Sequence, residues 1–117
     1  MKILTPKNHG IIDYLVVLFL LASPMLFGMS HTIALFTYGL GLVHLALTLL
    51  TDFSVGVVKL IPLPIHGFIE LAVGIILIAL AYTLFKDDEL GKLFYTGFGT
   101  AVLAVFLITD YNKSAGV

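Results

Sequence analysis

Histidines and carboxylates recur at a fixed spacing in the two halves of this chain. His9 precedes Asp13 by four residues, and His66 precedes Glu70 by the same interval. Because residues four apart on a helix share one face, each pair can present an imidazole and a carboxylate side by side. Such groups can form hydrogen-bonded locks, transfer protons or coordinate divalent metal ions.

Two further carboxylates, Asp52 and Asp110, stand at matching places where apolar segments end. A negative charge is disfavoured by about 0.3–1 kcal/mol at a helix C-terminus and favoured by as much in a first turn, where we expect Asp13 and Glu70. Asp52 and Asp110 therefore each need a His, a Lys, a helix N-terminus or a metal ion beside them. We predict one cluster on the side that carries both termini: His9, Asp13, Asp52, His66, Glu70 and Asp110.

Four apolar segments must position this cluster, at about residues 11–28, 32–51, 66–85 and 92–109. A helix needs roughly 20 apolar residues to cross about 30 Å of hydrocarbon. Hydrophobic residues make up 60% of the chain and charged residues 11%, whereas soluble domains carry about 25% charged residues. This composition excludes a soluble enzyme, a disordered chain and a nucleic-acid-binding protein. The absence of Cys excludes disulfides, iron–sulfur clusters and thiol catalysis.

Three blocks recur in the same order in both halves. Residues 9–13 match 66–70 at an offset of 57, whereas 36–41 match 94–99, and 50–53 match 108–111, at an offset of 58. The sequence therefore predicts an all-α, single membrane domain over residues 1–117, a four-transmembrane-helix bundle made of two tandem two-helix repeats. Repeat 1 covers about 9–53, the linker 54–65, and repeat 2 about 66–111. Since each repeat has two spans, the predicted pseudo-two-fold axis runs along the membrane normal.

Lysine placement predicts the orientation of the bundle. The side with both termini and the middle loop carries four lysines, whereas the opposite side carries Lys86 and Lys92. The four are Lys2, Lys7, Lys59 and Lys113. Since lysines accumulate on the cytoplasmic side, both termini are predicted to be cytoplasmic, in a bacterial-type inner membrane.

Short motifs in this chain resemble those of a known membrane family. Residues 22–28, Ala-Ser-Pro-Met-Leu-Phe-Gly, close the first span, and a Gly-x-Gly motif occurs in the second span of each repeat. With the two-span repeat, these features resemble the SPW-repeat family of small bacterial integral membrane proteins. Two positions depart from the Ser-Pro-Trp motif that names the family. Met25 stands where the family has Trp, and residues 80–82 stand where Ser-Pro would fall in the second repeat. The resemblance implies a membrane bundle and no established activity.

The glycines of the Gly-x-Gly motifs predict that the second span of each repeat packs closely against other helices, because small residues allow close approach. They are Gly39, Gly41, Gly97 and Gly99.

Three uses of the cluster compete. In a structural lock, His9 and His66 would hydrogen-bond Asp52 and Asp110 and tie the helix ends together. In a metal site, imidazoles with carboxylates would suit iron, zinc or manganese. Di-iron bundles have the same composition, although with Glu-x-x-His spacing. In the third use, the cluster would relay protons or ions, or bind a ligand headgroup.

His44 stands apart from the repeated pattern. It falls near the middle of the second span, and its counterpart in the second repeat is Val102. We expect its imidazole to hydrogen-bond a carbonyl or hydroxyl across the bundle. As a cofactor-binding candidate it could ligate haem or quinone. A bis-His haem would then need a His44 from a second protomer, because no other span has a His at that depth.

These observations favour a small, non-catalytic integral membrane protein whose cluster is a structural lock or a divalent-metal site. The lipid bilayer is its expected partner. The alternative is an accessory or assembly subunit of a larger membrane complex, or a homo-oligomer, because 117 residues leave no room for a soluble catalytic domain. A metal-dependent membrane enzyme, or an ion or proton relay, is the third reading.

Overall fold

Four helices account for most of the chain in the computed structural model, which describes residues 2–112. They are α1 (Pro6–Leu26), α2 (His31–Leu49), α3 (Leu63–Tyr82) and α4 (Glu89–Ile108). Within the described residues, two isolated bridges are the sole β-type pairing. All four helices are long and apolar enough to cross a membrane. The all-α class is thereby confirmed, and the helices indicate a multi-pass membrane protein.

Helices α1 and α3 begin earlier than their apolar segments. The Thr5 side chain caps α1 by accepting from the Asn8 N–H at 3.2 Å, and a proline stands in the first turn of both helices. Hydropathy misses the polar first turn of α1, whereas the prolines near residue 64 indicated a break where α3 in fact begins; proline is favoured at such helix starts. Neither helix has an acid in its first turn. Asp13 and Glu70 therefore lie a turn deeper than expected, and helix capping does not explain them.

The helices pack closely as two hairpins, α1 with α2 and α3 with α4. A Cβ on Gly41 would lie 2.9 Å from a Leu21 methyl, and one on Gly99 would lie 2.9 Å from the Gly74 carbonyl oxygen. Close approach is thus confirmed at Gly41 and Gly99. The same expectation is wrong for the other two glycines, because a Cβ would meet nothing within 4 Å at Gly39 or Gly97.

The apolar core occupies one end of the bundle, around the first turns of α2 and α4. Its buried members are Ile33, Leu77, Ala81, Phe85 and Tyr95. The Thr37 and Tyr95 hydroxyls meet there at 2.5 Å, and Ser30 donates to Asp88, the N-cap of α4, at 2.7 Å. The core therefore joins the hairpins at the end opposite His9 and His66.

Two short extended segments close the other end. Thr51 pairs with Ile61, and Thr109 pairs with Leu4, as isolated bridges. Successive side chains of an extended segment point in opposite directions. As a result Thr51 and Thr109 are fully buried, whereas the next residues turn outward.

Candidate functional site

Four of the predicted residues form one buried cluster between α1 and α3. His9 and His66 are each the fourth residue of their helix, and Asp13 and Glu70 are each the eighth. One donor atom from each residue lies within 4.8 Å of all the others. The histidines are 0% exposed, and Asp13 and Glu70 are 3% and 4% exposed. We call these four residues the central cluster.

Both imidazoles aim Nε2 at the carboxylates. His9 Nε2 lies 2.7 Å from Glu70 Oε1, and His66 Nε2 contacts the same oxygen. Asp13 Oδ2 lies 3.3 Å from His9 Nε2 and 3.1 Å from His66 Nε2. The angles make neither of these Asp13 contacts a hydrogen bond, so Asp13 Oδ2 is a buried oxygen without a hydrogen-bond donor.

Threonine hydroxyls fix the tautomer of both histidines. Thr109 Oγ1 donates its single proton to the Val105 carbonyl at 2.6 Å, so it accepts from His9 Nδ1 at 2.8 Å. Thr51 Oγ1 likewise donates its proton to the Leu47 carbonyl at 2.6 Å, so it accepts from His66 Nδ1 at 2.7 Å. Each Nδ1 therefore carries a proton.

This tautomer restricts what can stand at the centre. A neutral imidazole with a proton on Nδ1 has a lone pair on Nε2, and that lone pair would face a carboxylate oxygen unless a positive charge lay between them. Three arrangements balance the charge. Both histidines are imidazolium ions facing two carboxylates, or both histidines are neutral and either the two carboxyl groups carry protons or all four residues share a divalent cation.

Aromatic side chains cover the cluster at its outer end. A Cβ on Gly10 would lie 2.8 Å from Phe53, and a Cβ on Gly67 would lie 2.9 Å from Tyr111, so only glycine leaves room for these rings. The Tyr111 ring lies 5.5 Å from His9, and burial raises the pKa of the Tyr111 hydroxyl above its ordinary value of 10.0. The aromatic rings exclude water from this side.

Asp52 and Asp110 stand outside the central cluster. Asp52 is exposed and Asp110 half-buried, and the histidines bond the threonine before each acid rather than the acid itself. The reason is the alternation of the extended segments, which turns the threonine inward and the aspartate outward. Of the six predicted residues, the structure thus brings together His9, Asp13, His66 and Glu70.

His44 lies beside the cluster rather than across the bundle from a carbonyl. Its Nε2 is 3.5 Å from Asp13 Oδ1, and this nitrogen is buried without a hydrogen-bond partner. Two cavities of about 50 Å³ each meet at His44 and Glu70, one lined mainly from α1 and α4, the other mainly from α2 and α3. Neither has the size of a haem pocket.

Sequence reasoning missed Thr51 and Thr109 as members of the site. The signal was available, because the Thr-Asp-aromatic block recurs at an offset of 58. A charged side chain attracts attention in an apolar sequence, and the aspartates were therefore preferred to the threonines.

Comparison of the chain with protein-family models, curated proteins and solved structures found no match.

Proposed function

We propose that this protein is an integral membrane protein that binds a divalent metal ion at the central cluster. Asp13 and Glu70 would supply two negative charges, and the Nε2 atoms of His9 and His66 would supply two neutral donors. Ionisable groups within a membrane-spanning helix mark a functional site by default, because each is costly there. Thr51 and Thr109 would hold the histidines in the ligating tautomer, as outer-shell groups do around metal-bound imidazoles.

The observation that favours a metal ion is that Asp13 Oδ2 is buried and accepts no hydrogen bond. A buried carboxylate oxygen without a donor costs free energy, and imidazolium protons directed at Glu70 do not remove that cost. A cation placed among all four donors would contact Asp13 as well. Imidazole with carboxylate oxygen suits iron, zinc or manganese.

Elemental analysis tests this proposal. The protein would be purified in detergent without chelator, and its iron, zinc and manganese measured before and after addition of each ion. We expect a stoichiometric amount of one metal in the wild type and its loss in His9→Gln and Glu70→Gln. Asp52→Asn is the matched control, since Asp52 is an exposed acid at the same end of the bundle. A metal content near zero in the wild type after each addition would refute the proposal.

An ionic lock is the second candidate function. It is supported by the threonine bonds that cross between the hairpins, His9 to Thr109 and His66 to Thr51. The two candidates differ in their response to a chelator. A bound ion at 100 times its dissociation constant adds about 2.7 kcal/mol to stability. Chelation therefore lowers the melting temperature of a metal protein and leaves that of a lock unchanged.

We also infer that the hairpins are tandem repeats related by a two-fold axis along the bundle. Ser30 contacts Asp88 and Thr37 contacts Tyr95, pairs 58 residues apart, and the His9 and His66 rings lie 5.3 Å apart. Residues close to a two-fold axis meet their own equivalents, so these contacts support an axis near them. The two bridges also pair matching residues, Thr51 with Ile61 and Thr109 with Leu4.

Other expectations remain predictions. They are membership of the SPW-repeat family, a bacterial-type inner membrane, cytoplasmic termini, and a place in a larger complex or homo-oligomer. Lys113, one of the four lysines behind the orientation, lies outside the described residues. Co-purification with a larger partner from native membranes tests the accessory-subunit alternative, which a stable lone monomer would contradict.

A further inference from the structure

The second repeat lacks a counterpart of His44, and this asymmetry leaves space beside the central cluster. Val102 stands at the equivalent position and lines both cavities that meet His44 and Glu70. His44 Nε2 is buried without a hydrogen-bond partner. Besides His44, the polar residues that line the cavities are Glu70, which borders both, and Asp13, which borders one; the other lining residues are apolar.

We propose that these cavities admit one small uncharged molecule to the metal ion, and that His44 hydrogen-bonds the bound molecule. This inference rests on the proposed function. The ligand class is a molecule of one or two heavy atoms, since each cavity has about 50 Å³ and a water molecule occupies roughly 30 Å³ of liquid.

The cavity walls determine the charge of the ligand. Phe98 and Val102 line both cavities, and Val43 and Ala101, at their margins, are exposed on the outer faces of α2 and α4. In a membrane these faces meet lipid. A neutral molecule can cross such a boundary, whereas a free anion would lose its hydration without compensation.

The donor set indicates which ion could accept this ligand. Two histidines and a carboxylate with open positions are typical of non-haem ferrous sites. Beside the four donors of the central cluster, an ion that takes six ligands keeps two positions open, whereas tetrahedral zinc is closed by four donors. The inference therefore commits to Fe²⁺ as the ion. His44 would act as a positioning residue, because its Nε2 faces Asp13 at 3.5 Å and is not one of the four clustered donors.

Nitric oxide is a suitable probe, because it is neutral, diatomic and gives a characteristic electron paramagnetic resonance signal on Fe²⁺. The protein would be loaded anaerobically with Fe²⁺ in detergent and titrated with nitric oxide. We expect a saturable signal in the wild type. Val102→Phe fills both cavities and is expected to weaken nitric oxide binding by about tenfold or more, while Fe²⁺ content stays unchanged. Leu42→Phe is the control, since Leu42 lies 59% exposed on the outer face of α2.

His44→Leu provides the second, independent measurement. Loss of one hydrogen bond to the bound molecule is expected to weaken nitric oxide binding by roughly two- to twelvefold, and to change the line shape of the signal. A merely structural role for His44 would leave that line shape unchanged.

The outcomes separate the two proposals. Protein that retains none of the three metals refutes the proposed function and this inference together. Protein that binds zinc or manganese but not Fe²⁺, or that binds Fe²⁺ without a nitric oxide signal, refutes this inference alone. A Val102→Phe variant that binds nitric oxide as tightly as the wild type also refutes it.

Discussion

Replacement of Thr109 by valine tests whether the threonines control the histidines of the proposed metal site. Valine keeps the shape of threonine but removes the oxygen that accepts from His9 Nδ1 at 2.8 Å. The Nδ1 proton then lacks a partner in a fully buried position. The imidazole can rotate or shift its proton to Nε2, and in either case the lone pair no longer points into the central cluster.

Two independent magnitudes agree on the expected effect. A buried donor without a partner costs about 1–3 kcal/mol. Loss of an outer-shell partner lowers metal affinity by about 10–100-fold, which corresponds to roughly 1.4–2.7 kcal/mol at 1.36 kcal/mol for each tenfold change. We therefore expect Thr109→Val and Thr51→Val to weaken metal binding by similar factors within this range.

Competition against a chromogenic chelator in detergent measures these affinities. Thr48→Val is the matched control, because Thr48 is also fully buried and its hydroxyl donates to a backbone carbonyl, that of His44, at 2.8 Å. The Thr48 hydroxyl makes no hydrogen bond to a histidine side chain of the described residues. If Thr109→Val and Thr51→Val bind metal as tightly as Thr48→Val, the tautomer argument fails.

Three further predictions concern packing, pH and orientation. Gly99→Leu is expected to lower the free energy of unfolding by about 1–3 kcal/mol through overpacking, because its Cβ would meet the Gly74 carbonyl. Gly97→Leu is the control, because a Cβ at Gly97 meets open space. Thermal melts in detergent compare the two variants, and equal stability would contradict the packing. Hydrogen bonds from the Ser30 hydroxyl and the Gly91 N–H lower the pKa of Asp88 below its ordinary value of 3.8. The stability that ionised Asp88 gives the fold is therefore complete above pH 3.8 and is lost as the pH falls through the lower folded-state pKa. Asp88→Ala, which removes an N-cap worth about 0.5–2 kcal/mol, should therefore differ from wild type most at neutral pH and least in acid, with Asp87→Ala as control; a difference that persists in strong acid would contradict this. A reporter fused after residue 117 should report the cytoplasm, and an external signal would refute the lysine argument.

The four helices were predictable because membrane spans leave a strong signal in sequence. Long apolar runs separated by prolines, glycines or charges define each span, and the positions of the helices follow. The first turn of α1 was not predictable from hydropathy, because Lys7, Asn8 and His9 are polar, and that of α3 was missed because its proline indicated a break. Pro6 and Pro64 carried the missing signal, since proline is favoured at helix starts.

The central cluster was predictable in part. Spacing of four residues placed His9 with Asp13 and His66 with Glu70, and the repeat suggested that both pairs meet. The outward turn of Asp52 could not be read from sequence, because it depends on a bridge between Thr51 and Ile61. The side-by-side position of His44 and Asp13 depends on how α1 lies against α2, which periodicity does not determine.

The division of the central cluster between the hairpins has a consequence for biogenesis. During synthesis the first hairpin reaches the bilayer with an imidazole and a carboxylate whose partners, His66, Glu70 and Thr109, have not yet been translated. Until the second hairpin arrives, these groups must be hydrated at the translocation machinery or held near the lipid headgroups. Delayed arrival of the second hairpin should therefore leave the first one poorly inserted and exposed to quality-control proteases.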